Sequence, residues 1–203
     1  MIYNRELFFS LYREHFGRLR SSQMNGILFL LDKLEHSKRI ETDGKRSYVL
    51  ATVAWETAYS FLPITEYGSD QYLKSKRYYP YIGRGYCQLT WLNNYKLFGS
   101  ALGIDLVNHP ELANERETAW KILEMGMTDN FGIQDPDFTL YTLEDFFYGY
   151  VKDFYNARKI INPKDYKSFR PIAIMAENFY NCLEGSLIAA DLEPKGLEEI
   201  KRA

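Results

Sequence analysis

Two glutamates, Glu56 and Glu66, stand ten residues apart in settings that differ as general acid and base chemistry requires. Glu56 falls among Val53, Ala54, Trp55 and Ala58, an apolar stretch with helical spacing. Near the end of a helix and beside a tryptophan, a carboxyl meets two influences that disfavour its anion: a low-dielectric setting and the negative end of the helix dipole. Glu56 is therefore read as a carboxyl that keeps its proton, as an acid for glycosidic cleavage must. Glu66 lies in an irregular segment marked by Pro63 and Gly68 and reads as an ionised loop carboxylate. Across a cleft from Glu56 it could activate water, and inverting glycosidases hold their carboxyls roughly 6.5–9.5 Å apart to leave room for it. Asp70 is a second candidate for the base. The spacing leaves inverting and retaining geometries both open.

Other chemistries find less support. His15, His36 and His109 are scattered and match no zinc spacing, so no metal or other cofactor is expected. Gly83-Arg84-Gly85 lacks the further glycine of a phosphate-cradling loop and reads as a tight turn. Arg84 within it is read as structural support, bracing the glutamates or an ion pair beneath the cleft. Cys87 has no histidine suited to be its base. Cys87 and Cys182 read as free thiols.

The elements that must position these groups are mostly helical. Leu7, Phe8, Leu11, Tyr12 and Phe16 give a first amphipathic helix stopped at Gly17. Ser21 or Ser22 can cap a second, carrying Met24, Ile27, Leu28, Leu31 and Leu34. Thr42-Asp43-Gly44 reads as a turn, and a third helix is expected over about 47–59 with Glu56 near its end. The segment to about Gly85 is irregular, with short extended pieces around Tyr78-Tyr79-Pro80-Tyr81. Helical spacing returns over 89–102. Pro110 can then sit in the first turn of a helix running to about Asp129, followed by a loop over 131–140. Thr142 with Asp145 resembles a capping box opening a long aromatic helix to about Ile160. Pro171 is expected to open a last helix to about Leu183, before a charged tail. The fold class expected is mostly α: a lysozyme-like, two-lobed α+β fold with a small irregular or β-containing insert.

The 203 residues fit a single catalytic domain, with its core over about 45–185. Most of the 17 tyrosines and 13 phenylalanines are expected in the core, and a minority on a cleft wall could stack on sugar faces. With a net charge of −2 and no longer basic run than Lys74-Ser75-Lys76-Arg77, nucleic acid is not an expected partner. The longest apolar run, Ile27 to Leu31, falls far short of a membrane span, and the N-terminal residues carry no secretory signal.

The motifs, taken in order, resemble glycoside hydrolase family 19, which comprises class I chitinases and many phage endolysins. The resemblance rests on Trp55-Glu56-Thr57, then Tyr81-Ile82-Gly83-Arg84-Gly85-Tyr86-Cys87-Gln88-Leu89-Thr90, then Asn94-Tyr95. Leu102 to Leu106, Asn108 to Ala113 and Arg158 to Asn162 are similar to later family segments. The resemblance implies Glu56 as general acid, Glu66 as general base and Thr90 as the hydroxyl that holds the attacking water. It implies sugar contacts for Tyr81, Gln88, Asn94 and Asn162. Trp55 stands where the family has histidine, and Pro163-Lys164 where it has two glycines. The expected activity is hydrolysis of the β-1,4 glycan of peptidoglycan, in the manner of an endolysin. The alternatives are chitin hydrolysis and a non-catalytic glycan-binding or virion structural module. The endolysin reading implies a monomer made in a host cytoplasm, without membrane insertion, and released to the wall by a holin; carriage in a virion is the alternative location.

Overall fold

The computed structural model describes residues 2–128 and 138–188. Seven α-helices among them carry the architecture: α1 (Arg5–Phe16), α2 (Ser21–His36), α3 (Asp43–Glu56), α4 (Asp70–Lys74), α5 (Leu92–Leu102), α6 (Arg116–Met127) and α7 (Tyr166–Ser186). Three antiparallel two-stranded pairs join them: β1 (Ile2–Tyr3) with β6 (Leu187–Ile188), β2 (Ile64–Thr65) with β3 (Arg84–Gly85), and β4 (Phe147–Tyr148) with β5 (Val151–Lys152). The fold is mostly α with a small β-containing insert between α3 and α5, as the periodicity indicates.

Helix α3 is the axis. Gly44 and every residue from Arg46 to Ala54 are buried, so the helix is enclosed on all sides and must be apolar almost all round. Its one buried cation, Arg46, is matched: its guanidinium donates to the Ile40 carbonyl at 3.1 Å, the Tyr3 hydroxyl at 2.8 Å and the Asp43 carboxylate at 3.3 Å. A large core gathers α1, α2, α3, α6 and α7 around Phe8, Leu30, Val49, Phe61, Leu123 and Phe179. A smaller one, Leu89, Tyr95, Phe98, Leu106, Ala113 and Ile122, lies under α5 and shares α6. Two cores joined by one helix give the two lobes.

Several elements differ from the sequence reading. Thr42-Asp43-Gly44 is not a free turn: Thr42 caps α3, accepting from the Lys45 amide at 3.3 Å, so that helix starts four residues early and ends at Glu56, three residues before Tyr59. Helix α2 is entered from Arg20 rather than capped by a serine, with the Arg20 amide donating to the Gln23 side chain at 2.8 Å. Helix α5 starts at Leu92, three residues late, behind Trp91 at φ 77°. Pro110 opens a 3-10 turn, Pro110–Asn114, ahead of α6. The expected long helix over 142–160 is absent. The Thr142 amide does donate to Asp145 at 2.8 Å, but the box opens only the 3-10 turn Leu143–Asp145. Gly149 at φ 53° then turns the chain into the β4–β5 hairpin, followed by a third 3-10 turn, Asn156–Ile160. Pro171 lies inside α7, which begins a turn and a half earlier at Tyr166. The segment around Tyr78 to Tyr81 forms turns rather than extended pieces. Both cysteines are free thiols. The expected loop over 131–137 and the charged tail lie outside the described residues.

One close approach fixes α2 against the segment that follows α3. A Cβ added at Gly26 would meet the Phe61 carbonyl oxygen at 2.4 Å and the Phe61 Cβ at 2.8 Å. Backbone cannot yield there as a flexible side chain would. Gly26→Ala is therefore expected to lower unfolding free energy by about 1–3 kcal/mol in urea titration. An unchanged midpoint would contradict this packing.

The N-terminal strand is held by ions. Both Glu35 oxygens accept from Arg5 at 2.6 Å, and Oε1 also accepts from the Tyr3 amide at 2.8 Å. Burial works against the charged form of Glu35, but the Arg5 hydrogen bond, the Tyr3 amide and the Arg5 charge outweigh it and hold the carboxyl below its usual range. A depressed carboxyl contributes stability that is complete above its unfolded value of about 4.3 and is lost as pH falls through the lower folded value. The difference in melting temperature between the parent and Arg5→Met should therefore narrow below about pH 4. A gap constant from pH 7 to pH 2 would contradict the pairing.

Candidate active site

Glu56 is the last residue of α3, and the chain behind it is forced into a tight left-handed course. The Thr57 hydroxyl donates to the Val53 carbonyl at 2.6 Å and accepts from the Phe61 amide at 3.1 Å, while the Tyr59 amide reaches Ala54 at 2.7 Å. Ala58, Tyr59 and Phe61 take φ values of 47°, 60° and 55°. Gln88 at 56° and Trp91 at 77° complete the non-glycine residues with positive φ among those described. All five border the segments that carry Glu56 and Thr90. Such conformations cost of order 1–3 kcal/mol each and persist only where the surroundings impose them, a distribution typical of functional sites.

The Glu56 carboxyl meets a cation rather than the apolar setting expected. Trp55 is 38% exposed. Arg158, from the 3-10 turn Asn156–Ile160, donates Nη1 to Glu56 Oε1 at 2.5 Å, with the two side chains 4% and 16% exposed. The same guanidinium donates Nη2 to Asp165 at 3.2 Å and Nε to the Ser168 hydroxyl at 2.8 Å. Asp165 is held below the usual carboxylate range, first by the Ser168 hydrogen bond and then by Arg158. Arg158 thus ties the end of α3 to the start of α7, and its single charge faces two carboxylates. Among the described residues, Glu56 Oε2 receives no hydrogen bond.

Glu66 follows β2 and is held differently. Its backbone amide donates to the Gly83 carbonyl at 2.7 Å; its Oε1 accepts from the Tyr78 hydroxyl at 2.8 Å and its Oε2 from the Gly83 amide at 3.1 Å. Each oxygen has a donor, which suits an acceptor-only ionised group and fixes its rotamer. Asp70, the other candidate base, is exposed in the first turn of α4.

The loop over 83–90 is common to both glutamates. Glu66 touches it at Gly83, and the charge of Glu56 reaches the Cys87 thiol, which burial above all, and then that charge, push well up. Gly85 at φ 83° lets the loop leave β3, and Gln88 Nε2 ties it back to the Ile64 carbonyl at 3.1 Å. Thr90 Oγ1 donates to the Gln88 carbonyl at 2.7 Å, and Asn94 Nδ2 donates to the Thr90 carbonyl at 2.8 Å. The Tyr81 hydroxyl is directed to the Val107 carbonyl at 3.3 Å. Asn162 is exposed and accepts from the Lys164 amide at 3.2 Å, closing a turn where glycines were not available. Arg84 braces the loop and not the glutamates: Nη1 donates to the Pro80 and Ile82 carbonyls at 3.1 and 3.3 Å and to the Tyr95 hydroxyl at 2.9 Å.

Glu56, Glu66, Gln88, Thr90 and Asn94 are therefore brought around one loop, with Arg158 reaching Glu56 from the 3-10 turn Asn156–Ile160; Asn162 lies two residues beyond that turn. Sequence reading gave no role to Arg158, Asp165, Ser168 or Tyr78. The available signal for Arg158 was a pair of cations, Arg158-Lys159, flanked by the apolar Ala157 and Ile160. Nothing local marks the others. Among the described residues, no cluster of three or more His, Cys, Asp or Glu side chains could hold a metal, and no helix is long and apolar enough to cross a membrane.

Removing one partner of a buried ion pair leaves the other charge uncompensated, at about 3–5 kcal/mol. Arg158→Met is expected to lower unfolding free energy by about 3 kcal/mol in urea titration, and Glu56→Gln by less, because an amide oxygen still accepts from Arg158. A loss from Arg158→Met of no more than about 1 kcal/mol, the scale of a solvated surface pair, would contradict the burial of this contact.

Comparison with known proteins gives short but close sequence matches. The chain is 53% identical over 47 residues to basic endochitinase B of Arabidopsis thaliana, covering 23% of this chain and 13% of that protein. It is 60% identical over 35 residues to chitinase 11 of Oryza sativa subsp. japonica, covering 17% of this chain and 14% of that protein. The matched segments thus span about one seventh of the curated relatives' length. No family model matches the chain. Among solved structures, chitinase C from Streptomyces griseus HUT6037 superposes with a TM-score of 0.55 at 19% identity, covering 90% of this chain and 76% of that one. The fold is the one that chitinase has.

Proposed function

We propose that this chain is a family 19-type glycoside hydrolase that cleaves a β-1,4-linked N-acetylglucosamine polymer, with Glu56 as the acid and Glu66 as the base. The reading is carried by two carboxyls held in different ways around one loop. Arg158 has donors only, so a proton on Glu56 must ride on Oε2, the oxygen free to face a glycosidic oxygen. Glu66 accepts from two fixed donors and keeps lone pairs for a water proton. Thr90 has committed its own proton to the Gln88 carbonyl and so presents only lone pairs. A water donating to Thr90 and to Glu66 keeps both lone pairs and can point one at the sugar.

In the reaction, the Glu56 proton passes to the leaving oxygen as the glycosidic C–O bond breaks. Water forms the new C–O bond and gives a proton to Glu66. The two carboxyls end with their protonation states exchanged, and solvent restores them. The exposed amides of Asn94 and Asn162 can take sugar hydroxyl and N-acetyl groups without adding charge; Gln88 serves chiefly to hold the loop. Chitin is the favoured polymer, because the relatives and the solved structure are named as chitinases. Peptidoglycan carries the same N-acetylglucosamine unit and is the second substrate to test.

Release of reducing ends from chitin oligomers and from purified peptidoglycan separates these readings. Glu56→Gln and Glu66→Gln are each expected to lose at least about 100-fold in rate, with the fold retained by circular dichroism. Parent-like hydrolysis by Glu56→Gln would remove that residue from the mechanism. Saturable binding by the parent with no new reducing ends would make the protein a glycan-binding module instead.

A further inference from the structure

Helices α3 and α7 run antiparallel, so the end of α3 meets the start of α7 and the start of α3 meets the end of α7. Arg158 joins Glu56, at the end of α3, to Ser168, near the start of α7. At the other ends a cavity of about 270 Å³ opens between the first turn of α3, the β4–β5 hairpin and the last turns of α7. Twelve residues of helix separate Gly44 from Glu56, or about 18 Å along the axis. The cavity is therefore distinct from the Glu56 end of the helix.

Its walls combine aromatic faces with a polar rail. Tyr148 is 60% exposed and Tyr150, at the hairpin tip, is fully exposed. Phe147 anchors the hairpin beneath them, packed on Tyr48 and Phe154 with ring centres 5.7 and 5.5 Å away, so the tyrosines project from a fixed base. Gly44 completes that base: a Cβ there would meet Lys152 Cγ at 3.1 Å. Opposite, Lys152 donates to the Tyr180 hydroxyl at 2.9 Å, and that hydroxyl donates to Glu184. Lys152 and Glu184 balance on the rail, and Asp43, the other carboxylate of the lining, is paired with Arg46 at 3.3 Å, so the cavity presents no uncompensated charge. Exposed phenol rings beside hydrogen-bonding groups without net charge suit the apolar ring faces and hydroxyls of a neutral saccharide, not an anion or a lipid.

We propose that this cavity is a second saccharide-binding site, which takes a stretch of the same N-acetylglucosamine polymer through Tyr148 and Tyr150 and holds the enzyme on insoluble substrate. The proposal rests on the polymer reading above. A polymer anchored here raises the local concentration of chain at the cleft, an advantage that a short soluble oligomer cannot share.

The test compares the parent with the Tyr148→Ala/Tyr150→Ala double variant. Both side chains are exposed, so the fold should survive; the melting temperature checks it. Binding is read by depletion from suspensions of insoluble chitin, with Glu56→Gln in both proteins to prevent turnover. The double variant should bind about tenfold more weakly, while without Glu56→Gln it should hydrolyse soluble chitin hexamer at the parent's rate. Equal binding of both proteins to the polymer would overturn the second site. So would equal losses on polymer and hexamer, which would assign the tyrosines to the cleft. Parent that binds chitin through these tyrosines but hydrolyses neither substrate would keep this site and defeat the catalytic reading.

Discussion

The contact between Arg158 and Glu56 is the joint on which the rest of the arrangement depends. It closes 102 residues of chain with one hydrogen bond between nearly buried charges. Only a well-placed guanidinium makes that burial tolerable, and this one is placed by three acceptors at once: Glu56, Asp165 and Ser168. The contact occupies Oε1 of Glu56 and leaves Oε2 without a hydrogen bond among the described residues. It also couples α3 to the start of α7, so the Glu56 carboxyl is held by a helix end on one side and a 3-10 turn on the other.

The second carboxyl answers to a different constraint. Glu66 sits beyond a two-residue strand whose register, Thr65 opposite Arg84, brings the Gly83 amide to its side chain. Here the positioning is done by backbone, in a loop that turns at Gly85 and is tied down by Gln88. One acid is thus fixed by an ion pair between helices and the other by amide and phenol donors in the insert. The strained residues 58–61 and 88–91 occupy the connections between these two systems, where chain direction must change sharply to keep both around one loop.

Much of this was legible in the residues. The 3.6-residue spacing of Leu7 to Phe16 and the stop at Gly17 fixed α1 closely, since nothing tertiary competes there. The end of α3 near Glu56 and the irregular insert followed from the same pattern. The helix expected over 142–160 failed because its aromatics serve opposite surfaces: Phe146 and Phe147 point into the core while Tyr148 and Tyr150 face outward around a glycine turn. Pro171 misled because a proline is tolerated within α7 at an exposed position. The candidate glutamates were visible as types in context, and the motif order supplied the loop. The environment of Glu56 was not visible, because a partner 102 residues away leaves no local signature; an apolar setting was expected where a salt bridge stands. Arg84, conspicuous between two glycines, serves the loop's carbonyls instead.

The proposed mechanism requires a sugar polymer to lie with a glycosidic oxygen at Glu56 and a water-sized gap at Glu66. The most direct measurement is a crystal structure of the Glu56→Gln protein soaked with a chitin oligomer. The account expects a glycosidic oxygen within hydrogen-bond distance of the residue 56 amide, and a water between the opposite face of the sugar, Glu66 and Thr90. An oligomer bound with no sugar ring between residues 56 and 66 would contradict it.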